Sequence, residues 1–473
     1  MANLARDRKD QEPTDPNGQA PGTTREAVRR TARRGGSTRW RWQIFAVTWL
    51  AYAGFYFVRQ AFSVAKLGIL DDPLTRGVLT EHVLGVLDAV YLLAYAVGQF
   101  LWGMWADRFG PRVVVAGGMA GAVLASVAMG ASSALLVFGA AMVVQGLAQS
   151  AGWAPLCKNM SSFFSVRERG RVLGVWSTNY AFGGLVAPPF LGWWAYSVFD
   201  SWRAAFFAGS ATLAVVLLVF LVFQRNSPRD VGLPELDADE AANAPEEAAE
   251  SAEGERAGQR PAQQPARPRG AAWTLYRETL RDRMVLTLGA AYFLLKPARY
   301  AILLWGPVIV SKRLPEMTKV GATLIPVAFG VAGVVAPILI GWVSDTLFRS
   351  RRVPPCVLAL AVLTAVMALF MPLTAAHSAG IMIAVLAAIG LAVYAADAMI
   401  SCVAAVDFGS DSGAGTAAGL INGCGSIGAV LGGLLPGFLS GDVLFHGFAG
   451  AALLAGVLLL PHWNRRPRAA NTP

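Results

Sequence analysis

Charge is what this chain has least of. Only 15% of its 473 residues are Asp, Glu, Lys or Arg, where a soluble chain of this length carries about a quarter. With 55% hydrophobic residues and a mean hydropathy of +0.47, that deficit excludes a globular enzyme on a single anchor. Most of the chain must sit in lipid. Cysteine is scarce too. Cys157, Cys356, Cys402 and Cys424 lie in or beside apolar stretches without CxxC spacing, so neither a zinc site nor a disulfide framework is indicated. The four histidines, His82, His377, His446 and His462, fall in loops or at segment ends, and none is placed as a mid-membrane proton relay. No nucleophile–base constellation and no phosphate-cradling glycine loop is visible. The expectation is therefore no enzyme activity, no catalytic residue, no cofactor and no metal.

What fills the chain instead is apolar helix. A membrane-crossing helix needs about 20 mostly apolar residues. Windows of that length fall near 43–70, 84–106, 111–132, 135–160, 170–196 and 203–224, then near 283–311, 320–344, 354–375, 379–406, 414–440 and 442–462. The fold class is an all-α polytopic membrane protein with two six-helix halves, 42–224 and 283–463. The 50 glycines suit close helix packing in lipid. The 14 tryptophans gather near segment ends, where interfacial anchors belong. Between the halves, the stretch PELDADEAANAPEEAAESAEGERAGQRPAQQPARPRG has almost no large apolar residue and cannot bury a core. Residues 225–282 therefore read as a disordered cytoplasmic linker that ends in a short amphipathic helix, AAWTLYRETLRDR. Residues 1–41 form a basic tail without a signal-peptide core, and residues 464–473 form a second tail.

The net charge of +10 does not mean nucleic acid, because the basic residues sit in short loops and tails between apolar segments. Arg108, Arg112, Arg167, Arg169, Arg171, Arg349, Arg351 and Arg352 share one side with both tails. The opposite loops are poor in basic residues, with Lys312, Arg313 and Lys319 as the exception. The positive-inside rule then puts both termini in the cytoplasm.

The two halves repeat. GMWADRFGPRVV after the second segment and GWVSDTLFRSRRV after the eighth both place Gly, Asp and Arg around a turn. Asp107 with Arg108 and Arg112 thus corresponds to Asp345 with Arg349, at an offset of 345 − 107 = 238. Repeated halves are a transporter signature, since alternating access rocks one half against the other. Two arginines lie inside apolar segments, Arg59 in AYAGFYFVRQAFSVAKLGIL and Arg299 in YFLLKPARYAILLWGPVIV. Their offset, 299 − 59 = 240, makes them corresponding positions. An arginine at that depth is expensive unless it faces a cavity or a partner. One explanation is structural pairing with a buried acid, for which Asp88 and Asp397 are available. The other is a two-arginine clamp, because guanidinium matches phosphate or carboxylate bidentately.

The motifs AYAGFYFVRQAF, AYAVGQFLWGMWADR, QGLAQSAGWAPLCKNM, RERGRVLGVWS, ARYAILLWGP and GTAAGLINGCGSIGAVLGG resemble those of the organophosphate:phosphate antiporters of the major facilitator superfamily. That group holds glycerol-3-phosphate and hexose-phosphate carriers and sugar phosphate exchangers. The resemblance covers everything except tail and linker. It implies that Arg59 and Arg299 bind phosphate, that Tyr52, Tyr56 and Tyr95 line the pore, and that Trp153 belongs to the site. Each tyrosine has an equally good reading as a packing aromatic. Three positions depart from the glycerol-3-phosphate carriers. Tyr180 stands where they have histidine, Gln99 where they have lysine, and Lys296 where they have tyrosine. Lys296 resembles the lysine of some sugar phosphate exchangers instead.

The resemblance implies exchange of a small phosphorylated metabolite for inorganic phosphate, by a monomer in a bacterial cytoplasmic membrane. Two rivals stand beside it. One is a proton-coupled transporter of another anion or drug, with Asp397 or Asp88 as proton carrier. The other is a membrane sensor of the same fold that binds a sugar phosphate.

Overall fold

A computed structural model describes residues 21–164, 172, 175–176, 178–232, 281–349, 351–400 and 414–464. Among them run fifteen α-helices: α1 (Pro21–Asp71), α2 (Glu81–Phe109), α3 (Pro111–Ala131), α4 (Leu135–Ser150), α5 (Trp153–Phe163), α6 (Thr178–Trp193), α7 (Arg203–Phe223), α8 (Arg283–Arg313), α9 (Lys319–Leu324), α10 (Val327–Thr346), α11 (Val353–Ala368), α12 (Phe370–Leu373), α13 (Ala379–Ala398), α14 (Ala414–Leu434) and α15 (Gly441–Leu459). Nine spans, counting α4 with α5 and α9 with α10 as one each, are long and apolar enough to cross a membrane. The other three expected segments are α1, α6 and α11. Arg59 and Lys66 interrupt the apolar run of α1, and α6 and α11 are 16 residues each. Apolar side chains also cover the outside, as at Ile338, 74% exposed, which is the surface lipid requires.

Prolines set several boundaries that periodicity alone misses. A proline lacks the N–H and its ring collides with the carbonyl four residues back. Pro155 therefore ends the 135–160 segment as one helix, and the chain passes from α4 to α5 through the bonds Ala151 N to Ala148 O and Gly152 N to Gln149 O. Pro326 separates α9 from α10, and Pro372, inside α12, sets its ring against the carbonyl of Ala368, where α11 ends. At the N-terminal side, α1 begins at Pro21 rather than near residue 43. The basic tail is thus helical from residue 21, which fits a proline at the first helical position and the helix formers of REAVRR after it. The proposed amphipathic helix before α8 and most of the linker lie outside the described residues.

The halves pack by one rule. In the first, α1 packs on α6 and α7, α2 on α4, and α3 on α4 and α7. In the second, α8 packs on α14 and α15, α10 on α13, and α11 on α13 and α15. Each pair in one list has its counterpart in the other, so the repeat is structural. Across the interface α1 meets α8, α2 meets α14 and α6 meets α10. Glycine allows the closest approaches. A Cβ on Gly432 would lie 2.5 Å from the Pro297 carbonyl oxygen, so α14 can lie directly against the helix that carries Arg299.

The halves are fastened at the end of the bundle where α1 stops and α2 starts. Lys312 pairs with Glu81 at 2.6 Å and Lys319 with Asp71 at 2.7 Å. Just inside, Lys66 and Asp88 form an ion pair at 2.5 Å, both almost fully buried. The Lys66 ammonium also donates to the Leu304 carbonyl of the other half at 3.0 Å and lies 4.1 Å from the Trp305 ring centre. Ser63 donates to the same carbonyl at 2.8 Å. In the adjoining loop, the Trp202 indole and the Leu74 amide donate to Asp72, holding its carboxyl below the usual carboxylate range.

Candidate functional site

The α4–α5 break positions the first half of the site. It leaves Gln149 in the last turn of α4 and Trp153 at the start of α5. Arg59 Nε donates to Gln149 Oε1 at 2.8 Å, and the Tyr91 hydroxyl donates to that same oxygen at 2.9 Å. The guanidinium lies 4.7 Å from the Tyr56 ring centre and 5.0 Å from that of Tyr95. Both geometries favour a cation over an aromatic face. Arg59 Nη2 is buried with no hydrogen-bond partner, and no carboxylate pairs with Arg59 among the described residues.

The second half is built differently. Arg299 Nη1 meets Asp397 Oδ2 at 2.9 Å, and Lys296 Nζ lies 3.3 Å from Oδ1. The Tyr292 hydroxyl donates to Oδ1 at 2.9 Å. Tyr394 lies under the Arg299 guanidinium at 4.5 Å, and Lys296 sits 4.5 Å from the Tyr292 ring. Arg299 Nε is buried without a partner. The 240-residue offset extends beyond the arginines: 292 − 52 = 240 relates two tyrosines, and 296 − 56 = 240 relates Lys296 to Tyr56.

A cavity of about 60 Å³ lies between the halves, with Tyr56, Gln60, Tyr180, Arg299 and Tyr394 in its walls. Arg59 is behind Tyr56 and lines a second, water-sized cavity with Asp88, Tyr91 and Gln145. The structure therefore brings Arg299, Tyr56 and Tyr180 into the lining of one cavity and keeps Arg59 one ring away. Tyr52 is buried, 5.2 Å from Trp153 and 6.0 Å from Tyr56 between ring centres, so here it packs. Trp153 also meets Tyr180 at 6.3 Å. Tyr95 serves the arginine as a face.

The two deep acids divide. Asp397 holds Arg299 and Lys296, whereas Asp88 holds Lys66 and neither arginine. The loop motifs lie far from this site. Arg112 donates through its guanidinium to the Leu221 carbonyl and through its amide to Asn226 Oδ1 at 2.8 Å, tying α3 to the end of α7. Arg108 lies over Phe109 at 5.3 Å. In the other half Arg349 is exposed with φ 53°, and Arg352 instead donates to Ser344 at 3.1 Å. The side chains of Asp107 and Asp345, and Arg167, Arg169, Arg171 and Cys402 entirely, lie outside the described residues.

Sequence reasoning missed Gln149, Tyr91, Tyr394 and Lys66. A signal existed for three of them. Lys66 follows Arg59 by seven residues, on the same helix face. Tyr394 precedes Asp397 by three. Gln149 and Gln145 are one turn apart in an otherwise apolar helix. No group of three His, Cys, Asp or Glu able to hold a metal occurs among the described residues.

The sequence profile described as Major Facilitator Superfamily matches residues 44–432. The chain belongs to that superfamily. A probable hexose phosphate transport protein of Chlamydia trachomatis is 27% identical over 90% of this chain and 91% of its own length. The glycerol-3-phosphate transporter of Bacillus subtilis is 26% identical over 91% and 94%. The membrane sensor protein UhpC of Escherichia coli is 28% identical over 67% of each. This member of the superfamily is a multi-pass membrane protein of the transporter class and not an enzyme, as the sequence suggested.

Proposed function

We propose that this chain exchanges a small organophosphate for inorganic phosphate by alternating access, in a bacterial cytoplasmic membrane with both termini inside. One observation carries the reading. Three cations stand on the two helices that meet across the interface, Arg59 on α1 and Lys296 and Arg299 on α8, with Arg299 in the cavity wall, and among the described residues one acid, Asp397, offsets them, leaving 3 − 1 = +2. Lys66 and Asp88 cancel each other. Two uncompensated charges in a low-dielectric cavity repel and remain poorly solvated. A dianionic phosphate relieves both, and the unpartnered Arg59 Nη2 and Arg299 Nε are the donors its oxygens need.

In this orientation the fastened end faces outward, and the state described is closed on that side. For Arg59 to reach the anion, its guanidinium must leave Tyr56 or the ring must turn, and phosphate arriving at Arg299 supplies the attraction. The empty carrier keeps its excess charge and crosses poorly, which makes exchange obligatory. The relatives named as hexose phosphate and glycerol-3-phosphate transport proteins support an organophosphate. Proton coupling through Asp88 or Asp397 is disfavoured because each is already engaged by a cation.

The test is counterflow. Liposomes carrying the purified protein and labelled phosphate should release label when a phosphate ester that it accepts is added outside. Uptake driven by a proton gradient into phosphate-free vesicles would overturn the reading. The similarity to a sensor favours one alternative, a receptor that binds a sugar phosphate without transporting it. Tight ester binding with no counterflow would select that alternative.

A further inference from the structure

The helices that hold the two arginines correspond, since α4 and α13 take the same place in the packing of their halves. Gln149, near the end of α4, and Asp397, near the end of α13, each accept a hydrogen bond from the arginine of their own half, at 2.8 Å and 2.9 Å. Each also accepts a tyrosine hydroxyl, at 2.9 Å in both cases. The two sites share this pattern, an arginine and a tyrosine hydroxyl on one acceptor, but one acceptor is an amide and the other a carboxylate that also holds Lys296. Gln149 is fully buried, and its Nε2 has no partner.

We propose that Gln149 sets the valence of the transported anion: by holding Arg59 without neutralising it, the amide keeps the cavity at two excess positive charges. The amide orients the guanidinium through Nε and leaves its charge available to the substrate. A carboxylate there would make the first half a copy of the second and lower the excess to one. This rests on the organophosphate reading above and goes beyond it, to what the site demands of the phosphate. Gln149 acts through Arg59, so it is a positioning and selectivity residue.

Ionisation elsewhere does not mimic the effect. The titratable groups around Arg59 are Tyr52 and Tyr56 of α1, Tyr91, Tyr95 and Asp88 of α2, and Tyr300 of α8. Phenols ordinarily titrate near 10, and Asp88 is committed to Lys66. A phosphate ester, by contrast, gains its second charge near pH 6.

The experiment reconstitutes wild type, Gln149→Glu, Gln149→Ala and the double variant Gln149→Glu with Asp397→Asn. Vesicles are loaded with labelled inorganic phosphate, and glycerol-3-phosphate is added outside, with equal pH on both sides, between about pH 5 and 8. Wild-type exchange should rise as the ester becomes dianionic. Gln149→Glu should fall by about tenfold or more at the alkaline end, the scale of one charged hydrogen bond, and move its optimum to the acidic end. The double variant restores the count of two and should recover the wild-type profile. Gln149→Ala removes the hold without adding charge, so it should raise KM and keep the wild-type profile. A Gln149→Glu carrier with the wild-type profile overturns the proposal, as does equal loss at every pH that the double variant does not reverse. If wild type itself gives no counterflow, it is the organophosphate reading that fails.

Discussion

Among the described residues each half of this chain has one deeply placed acid, and the halves use it differently. In the first half Asp88 is taken by Lys66, close to where the halves are fastened, and Arg59 is left with an amide. In the second half Asp397 is taken by Lys296 and Arg299, and the position that corresponds to Lys66, 66 + 240 = 306, is a glycine. A repeat that is nearly exact in packing is thus asymmetric in charge. One half combines a buried ion pair with an arginine held by an amide, and in the other two cations share one acid. The lesson is that pseudo-symmetry fixes where the two arginines stand, while the lysines and acceptors beside them differ between the halves and set the local charge.

The comparison breaks most severely at the Lys66–Asp88 pair. Lys66→Ala leaves Asp88 buried and unpaired, a loss of about 3–5 kcal/mol when one partner of a buried pair is removed. The thermal midpoint in detergent should drop sharply. The double change Lys66→Met with Asp88→Leu should recover much of it, since replacing a buried pair by apolar groups is often neutral. Equal midpoints for Lys66→Ala and wild type would show that the pair does not hold the halves.

Next come the arginines. Arg59→Lys and Arg299→Lys keep charge and lose the planar fork. A charged hydrogen bond contributes about 1.5–3 kcal/mol, so exchange should fall roughly ten- to hundredfold in each, with normal membrane insertion. Counterflow rates measure it, and near-normal transport by either variant would remove that arginine from the site.

Lys296 sharpens the contrast at smaller amplitude. Lys296→Ala lowers the excess charge from two to one by deleting a cation of the second half. Its preference for dianionic over monoanionic ester should weaken more than its maximal rate. An unchanged pH profile between about 6 and 8 would assign Lys296 to holding Asp397 alone. The smallest effect belongs to the linker. Deleting most of 235–268, which has almost no large apolar residue, should leave exchange near wild type provided the remainder spans the halves. Loss of transport at normal expression would give that segment a role.

Most of the fold was legible because lipid imposes a simple code. Apolar length gave the spans, while the 240-residue offset paired Arg59 with Arg299. Helix interruptions were less legible, as at Pro155 and Pro372, because a proline breaks one helix and rides inside another, as Pro297 and Pro307 do in α8. The site was half legible. Charged residues in apolar segments announce themselves, so Arg59, Arg299, Lys296 and Asp397 stood out. Their neutral partners did not. Gln149 and Tyr91 carry no charge to betray them, and only the packing of α2 and α4 around α1 brings them to the guanidinium. Tyr52, left open by the sequence between pore and packing, packs here among Trp153, Trp176 and Tyr56.

The central claim is that an empty site with excess positive charge cannot cross, so transport must be exchange. The direct measurement is efflux of labelled phosphate from reconstituted vesicles into two buffers, one free of phosphate and one containing phosphate or an accepted ester. The account predicts rapid loss of label only into the second buffer. Equally fast efflux into both would contradict it.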